Sequence, residues 1–374
     1  RMTVASLCAQ RVARFRALME ERGYDAVILR NNPDLRWLTG VERVFDSEQA
    51  HTAFLTQDGL WLHTDSRYYN SFVERMGTDG VWQLDGDAVD AVAWAAGRVL
   101  KARARVAAVE DTCPLSFFDG LQAELAARSM SCLLPRLHGD LVRLRIVKDR
   151  EELGLLARAQ EVTDDAFDHI RGYIKAGLTE RQIRAELEHY MLMHGADALS
   201  FDTIVAAGPN GANPHAKPSD YVVREGDLIV MDYGAAYHDY HADMTRTVCV
   251  GEPSEEQRHV YDVVREANEA CEAAAKPGCI GRDIHDLAAK VISDAGYGPY
   301  FGHGLGHGVG IEIHESPRLS RLYGDEVPVG SVITIEPGIY LPGRFGIRLE
   351  DCGHMAEDGY HPFGRSAHDL LRVG

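Results

Sequence analysis

Along the first third of the chain the spacing of apolar positions changes period repeatedly. LCAQRVARFRALMEERG (7–23) carries them at helical spacing and stops at Gly23; YDAVILR (24–30) follows as a short apolar strand. HTAFLTQDGLWLHTD (51–65) alternates on either side of Asp58-Gly59, which predicts a hairpin turning there. VDAVAWAAGRVL (89–100) and PLSFFDGLQAELAARS (114–129) predict helices, with strand-like RVAAVE (105–110) between them. These elements make an α/β domain over residues 1–136 in which no catalytic constellation stands out.

A join follows at RLHGDLVRLRIVKDREE (136–152), placing a linker at 137–149 and a second domain at 150–374. The second domain opens with a long helix, about 150–174, and a second helix, about 179–194, that starts in the capping box Thr179-Glu180-Arg181-Gln182. Two more helices are expected near 254–275 and 281–295, the latter ending at Gly296. Four strand runs lie around them, so the fold class expected here is α+β.

Two of those runs repeat one another. EGDLIVMDYG (225–234) and VGSVITIEPG (329–338) each read Gly, apolar strand, acid, Gly, with Asp232 and Glu336 at the same place. After each comes a turn and a strand with another acid, Asp243 in HADMTRTVCV and Glu350 in GIRLEDCG. With a side-chain period of two, Asp243 shares a face with Thr245 and Thr247, and Glu350 with Arg348. One acid ending an apolar strand is most simply a turn residue capped by backbone N–H groups. Four on two matched hairpins are different, because a buried carboxylate is costly unless paired or metal-bound.

FGHGLGHGVGIEIHES (301–316) bears on the same point. Glycine at every second position from Gly302 to Gly310 argues against a helix, at about 1 kcal/mol each relative to Ala. As a strand, the segment has all five glycines on one face and His303, Leu305, His307, Val309 and Ile311 on the other. His314 would then face away unless the strand bends before it. Taken singly each histidine is an ordinary core or surface residue; beside four carboxylates a metal site is the better reading. Asp232, Asp243, His307, Glu336 and Glu350 would be the ligands. Four anionic charges suit two divalent cations, and oxygen-rich coordination favours Mn²⁺, with Co²⁺, Zn²⁺ or Fe²⁺ also able to fit.

The ordered motifs MDYG, ADMTRT, GHGLGHGVGIEIHE, TIEPGIY and GIRLED resemble the pita-bread metallopeptidases, closest to the proline-specific branch of Xaa-Pro dipeptidase (prolidase) and aminopeptidase P. NPDLRWLTG (32–40) and DSRYY (65–69) resemble the creatinase/prolidase-type amino-terminal domain. The resemblance implies that Asp232 and Asp243 bind one metal and His307 and Glu336 the other, with Asp243 and Glu350 bridging. It makes Glu336 the general base toward a metal-bridging hydroxide, and has His314 polarise the scissile carbonyl. His215 in ANPHAKPSD matches a histidine near the leaving group, and His303 would line the proline pocket. Tyr340 and Arg348 match positions beside the metal-binding acids on the substrate side.

Proline preference comes from the resemblance alone. Dipeptidase activity is placed ahead of aminopeptidase P activity because Arg318, in HESPR, matches a position that would hold a dipeptide's free carboxylate. A surface role for Arg318 is an equal reading, since Arg321 and Arg344 lie near in sequence. A catalytically idle binding protein on the same fold and a creatinase-like C–N hydrolase are the further alternatives. Family members are usually dimers, so a homodimer is expected.

Composition narrows the partners. The chain has 374 residues and a formal charge of −18, which argues against nucleic acid. No apolar run approaches the roughly 18–20 residues of a membrane helix, and no charged-then-apolar leader is visible. Arg1 ahead of Met2 reads as an added residue. Seven scattered cysteines with no CxxC pair read as reduced thiols, so a cytoplasmic location is expected.

Overall fold

The computed structural model describes residues 4–76 and 80–374, with side chains from residue 8 onward; Arg1 lies outside them. The chain divides into two units, residues 1–145 and 146–374.

In the first unit a five-stranded mixed sheet runs, edge to edge, Gln83–Asp85, Leu60–His63, Thr52–Thr56, Ala26–Leu29, Ala107–Val109. The expected hairpin is there, Thr52–Thr56 pairing antiparallel with Leu60–His63 around Asp58-Gly59. Helices Ala91–Ala102 and Leu115–Ala127 cover the sheet through Trp94, Val99, Phe117 and Leu121, all buried. NPDLRWLTG forms a helix, Asn32–Thr39, that apolar spacing did not announce. It is delimited by the Asn31 side chain accepting from Asp34 N–H and by Gly40 at φ 68°. The stretch read as a linker contains a helix, Asp140–Ile146.

The second unit is built twice from one plan. Its first half has helices Arg150–Tyr173 and Glu180–Met193, then strands Ile204–Ala207, Leu228–Tyr233 and Met244–Val250 paired in that order. The second half has helices Glu255–Ala274 and Gly281–Asp294, then strands Gly306–Gly308, Val332–Ile335 and Asp351–Ala356, again paired in order. Helix starts follow local chemistry: Asp149, Thr179 and Ser254 each close a capping box. Gly226 and Gly330, the first glycines of the two repeats, both turn with positive φ, at 85° and 91°. Both donate their N–H across the sheet at 2.7 Å, to Val250 O and Met355 O.

Each half has its own apolar core. Met231, Tyr233, Met244 and Val248 face the first helix pair, and Ile333, Ile335 and Leu349 face the second. Because the strand period is two, Asp232 points away from the core that Met231 and Tyr233 enter. The same alternation turns acids of both halves away from their own cores.

Candidate metal centre

The halves meet along one seam. Glu350 N–H donates to Thr245 O at 3.1 Å, an isolated bridge joining the last strands of the two sheets. Thr245 lies opposite Asp232 in the first sheet, so the bridge sets Asp232, Asp243 and Glu350 side by side. Arg246, fully buried, holds the seam by donating to Glu350 O at 2.6 Å and to Asp351 Oδ1 at 2.7 Å.

The structure brings together all five residues of the expected set. Ligating atoms of Asp243, His307 and Glu350 lie within 4.8 Å of one another. His307 Nε2 sits 3.4 Å from Asp243 Oδ2 and 3.3 Å from Glu336 Oε1. Its Nδ1, 2.9 Å from Gly308 O, must carry a proton because a carbonyl only accepts. Nε2 is thereby the nitrogen offered to the acids. Around them Thr245 Oγ1 donates to Glu350 Oε2 at 2.6 Å, and Arg348 Nη2 to Asp232 Oδ2 at 2.8 Å. The other oxygen of each acid, Asp232 Oδ1 and Glu350 Oε1, is buried without a hydrogen-bond partner. Two orphaned carboxylate oxygens beside an imidazole nitrogen turned toward two further acids are a fit for a cation, since buried acceptors otherwise find donors.

Electrostatics point the same way. Burial, reinforced by Asp243, Glu336 and Asp232, lifts the Glu350 carboxyl well above its usual range. Burial and Asp232 lift Asp243 to about 7, although His307 opposes them. Burial also lifts Asp232, against the pull of Arg348. Glu336 is the exception: burial pushes it up, but His307, His303 and Arg348 outweigh burial and hold it at about 2. Its side chain is also the most open of the Asp232, Asp243 and Glu336 trio, at 17% exposed against 13% and 5%. Burial would lower His307, yet Asp243 and Glu336 raise it to about 10, so its Nε2 holds a proton where a metal ion would sit. Four acids this close resist ionising together unless cations replace the protons.

The glycine-rich segment 301–316 is less of a strand than its pattern suggests. Only Gly306–Gly308 pairs, with a register shift between His307 and Gly308. The chain then bends through 310–314 and returns as Glu315–Leu319. The bend brings the His314 ring to 4.4 Å from that of His307, edge to face. The glycines are not equivalent either. A Cβ on Gly306 would lie 1.9 Å from Thr334 O, and one on Gly308 2.2 Å from Ser316 O. Gly302 faces open space.

A cavity of about 410 Å³ opens over the acids. His215, His303, His314, Arg318 and Arg348 line it, with Asp232, Asp243, His307 and Glu336 at its floor. Burial, then His307 and Arg318, lower His314 to about 4, so its ring is neutral near pH 7. Arg344 is paired with Glu256 instead, and Arg321 is not in the lining. Tyr340 stands behind the wall rather than in it: its hydroxyl accepts from Arg348 Nη1 at 2.9 Å and lies 2.8 Å from His303 Nε2. His303 Nδ1 is 2.7 Å from Gly304 O and carries the proton, so both its nitrogens are engaged and it presents a ring face.

Sequence reasoning missed Phe201, Asp202, Ile204 and Pro214, which also line the cavity. A usable signal was the repeat itself: Ile204 lies opposite Asp232 as Leu305 O receives Glu336 N–H, so Asp202 stands where His303 stands in the second half. A larger cavity, about 650 Å³, lies in the first unit around Trp61 and Arg98, away from these acids.

Orphaned acid oxygens, a neutral imidazole and a substrate-sized cavity define a metal-dependent hydrolytic centre. The chain belongs to metallopeptidase family M24, whose model matches residues 154–357; residues 11–147 match the creatinase/prolidase N-terminal domain. Its second unit has the pita-bread fold. The chain is 43% identical over 228 residues to an Xaa-Pro dipeptidase of Pyrococcus furiosus, covering 61% of this chain and 66% of that protein. An Xaa-Pro dipeptidase structure from Bacillus anthracis aligns with TM-score 0.90 and 31% identity, over 98% of this chain and 100% of that one. An X-Pro aminopeptidase from Thermotoga maritima aligns with TM-score 0.87 and 34% identity, over 96% and 99%. No helix among the described residues is long and apolar enough to cross a membrane.

Proposed function

We propose that this metallopeptidase hydrolyses the Xaa-Pro bond of dipeptides, as a cytoplasmic homodimer using two divalent ions per chain, with Mn²⁺ favoured. The observation that carries the metal assignment is the pair of orphaned buried oxygens, Asp232 Oδ1 and Glu350 Oε1, beside the Nε2 of His307, which faces Asp243 and Glu336. Asp232 and Asp243 would hold one ion, His307 and Glu336 the other, with Asp243 and Glu350 shared. When bound, the ions lower the pKa of water and polarise the substrate carbonyl.

The chain's own residues supply the rest. Glu336, kept ionised by His307, His303 and Arg348, accepts the proton of the attacking water. His314, neutral near pH 7, donates its N–H to the carbonyl oxygen as charge develops there. His215 lies in the same lining, and its role would be on the side of the departing proline nitrogen. An Xaa-Pro amide has no N–H, so the proline ring must be held by packing; the His303 ring face, locked by Gly304 O and Tyr340, suits that task. Arg348 acts on both sides, fixing Asp232 and Tyr340.

Arg318 lines the cavity and makes no ion pair among the described residues, which favours a dipeptide's free carboxylate over a continuing chain. Aminopeptidase P activity is the second reading, supported by the Thermotoga likeness. A panel of Xaa-Pro dipeptides and Xaa-Pro-Yaa tripeptides, with enzyme reloaded separately with Mn²⁺, Co²⁺ and Zn²⁺, decides between them. Dipeptides should be preferred, and Arg318→Ala should erase that preference. Equal cleavage of tripeptides, unaltered by the substitution, rules the dipeptidase reading out. Metal content by mass spectrometry should give two ions per chain, and ultracentrifugation a dimer.

A further inference from the structure

Opposite charges stand on the two walls of the cavity. Arg318 comes from the second half, opposite His307 in its sheet. Asp202 comes from the first half, two residues before Ile204, which lies opposite Asp232. Asp202 is exposed within the lining, and its carboxylate has no hydrogen bond or ion pair among the described residues. It is no part of the four-acid cluster, and nothing in the hydrolytic scheme above uses it. Beside it Phe201 and Ile204 offer half-buried apolar surface.

We infer that Asp202 selects the substrate's first residue by receiving a positive charge at the end of its side chain, an inference that rests on the Xaa-Pro reading above. With Arg318 on the carboxylate, the proline end belongs to the second-half wall and the first residue to the wall of Phe201, Asp202 and Ile204. The substrate's α-amino group is bonded to the same carbon as the scissile carbonyl, so it stays with Asp232 and Asp243 at the floor. What reaches Asp202 is the side chain. A lysine or arginine stem packs its methylenes along Phe201 and Ile204 and delivers its cationic end to the carboxylate. The formal charge of −18 acts in the same direction, favouring approach of cationic peptides.

Lys-Pro and norleucyl-proline share the stem and differ in the charge, so the ratio of their kcat/KM values reads the contact directly. Metal-loaded wild type should favour Lys-Pro by about fivefold at low ionic strength, expressed in KM, with the ratio shrinking in 1 M salt. Asp202→Asn should bring the ratio close to one, and Asp202→Lys should turn preference toward Glu-Pro. A wild type that cleaves both peptides equally well overturns the inference alone. So does an Asp202→Asn enzyme that loses both substrates in proportion, which would assign Asp202 to the α-amino group or to the fold. A metal-loaded wild type that cleaves no Xaa-Pro peptide removes the Xaa-Pro reading, and this inference with it.

Discussion

The two halves of the second unit share helix pairs, strand order and the acid that ends the central strand, yet they differ at two matched positions. The residue three before each acid sits opposite Ala207 in the first half and Gly308 in the second, so Ala206 and His307 correspond. Likewise Glu180 and Gly281 each open the second helix of their half. Glu180 is fully buried and accepts from Ala207 N–H, Asn210 and Ser219, tying its own loops together. A Cβ on Gly281 would lie 2.2 Å from Arg318 O, so the second half has given up a carboxylate to let the Arg318 strand pass close. One half spends its buried polar group on architecture. The other brings an imidazole to the acids and an arginine to the cavity.

The comparison breaks first at the seam, where neither half is complete without the other. Asp243→Ala or Glu350→Ala should cost both metal ions and on the order of a thousandfold in kcat/KM, read by metal analysis and turnover. Full activity with a normal metal count in either variant would remove the shared-ligand assignment. Next come the glycines peculiar to the second half. Gly306→Ala or Gly308→Ala meets backbone carbonyls and should destabilise the protein by about 3 kcal/mol in chemical denaturation, whereas Gly302→Ala, facing open space, should be near neutral. Equal effects at the three positions would mean the close approach is not what these glycines serve.

Chelation gives a smaller effect with a definite sign. In the metal-stripped protein Asp243 and Glu350 titrate above their unfolded values near 4, and His307, at about 10, above its unfolded value near 6.5. Groups whose folded pKa is raised stabilise fully below the unfolded pKa, and that stability drains as pH rises through the folded one. Tm of the stripped protein should therefore fall by several degrees between pH 5 and pH 8, and Mn²⁺ should restore most at the alkaline end. A flat or rising profile would show that the acids do not repel as described.

Much of the site was legible in sequence because its ligands sit on a local, repeated pattern: Gly, apolar strand, acid, Gly. Asp232 and Glu336 could be read from that spacing, and Asp243 and Glu350 from the strands that follow. What joins the halves is a long-range bridge from Thr245 to Glu350, which no local period encodes. The glycine strand is shorter than its pattern implies because alternation looks the same whether or not a partner strand continues; here the strand ends at Gly308, one residue past a register shift. Phe201 and Asp202 are not legible locally, because their place beside the acids depends on the long-range pairing of Ile204 with Asp232. Tyr340 lay beyond spacing arguments altogether, since its place behind His303 depends on the strand pair 338–341 and 345–348.

Because each half folds around its own core, the acids need not meet until the halves dock. The expectation is that the seam forms last in folding, after each half has buried its own apolar surface. Metal held there would act on the barrier to leaving the native state and scarcely on the barrier to reaching it. In denaturant-jump experiments Mn²⁺ should slow unfolding while leaving the refolding rate nearly unchanged, so that the Thr245–Glu350 bridge works as the clasp that sets the protein's lifetime.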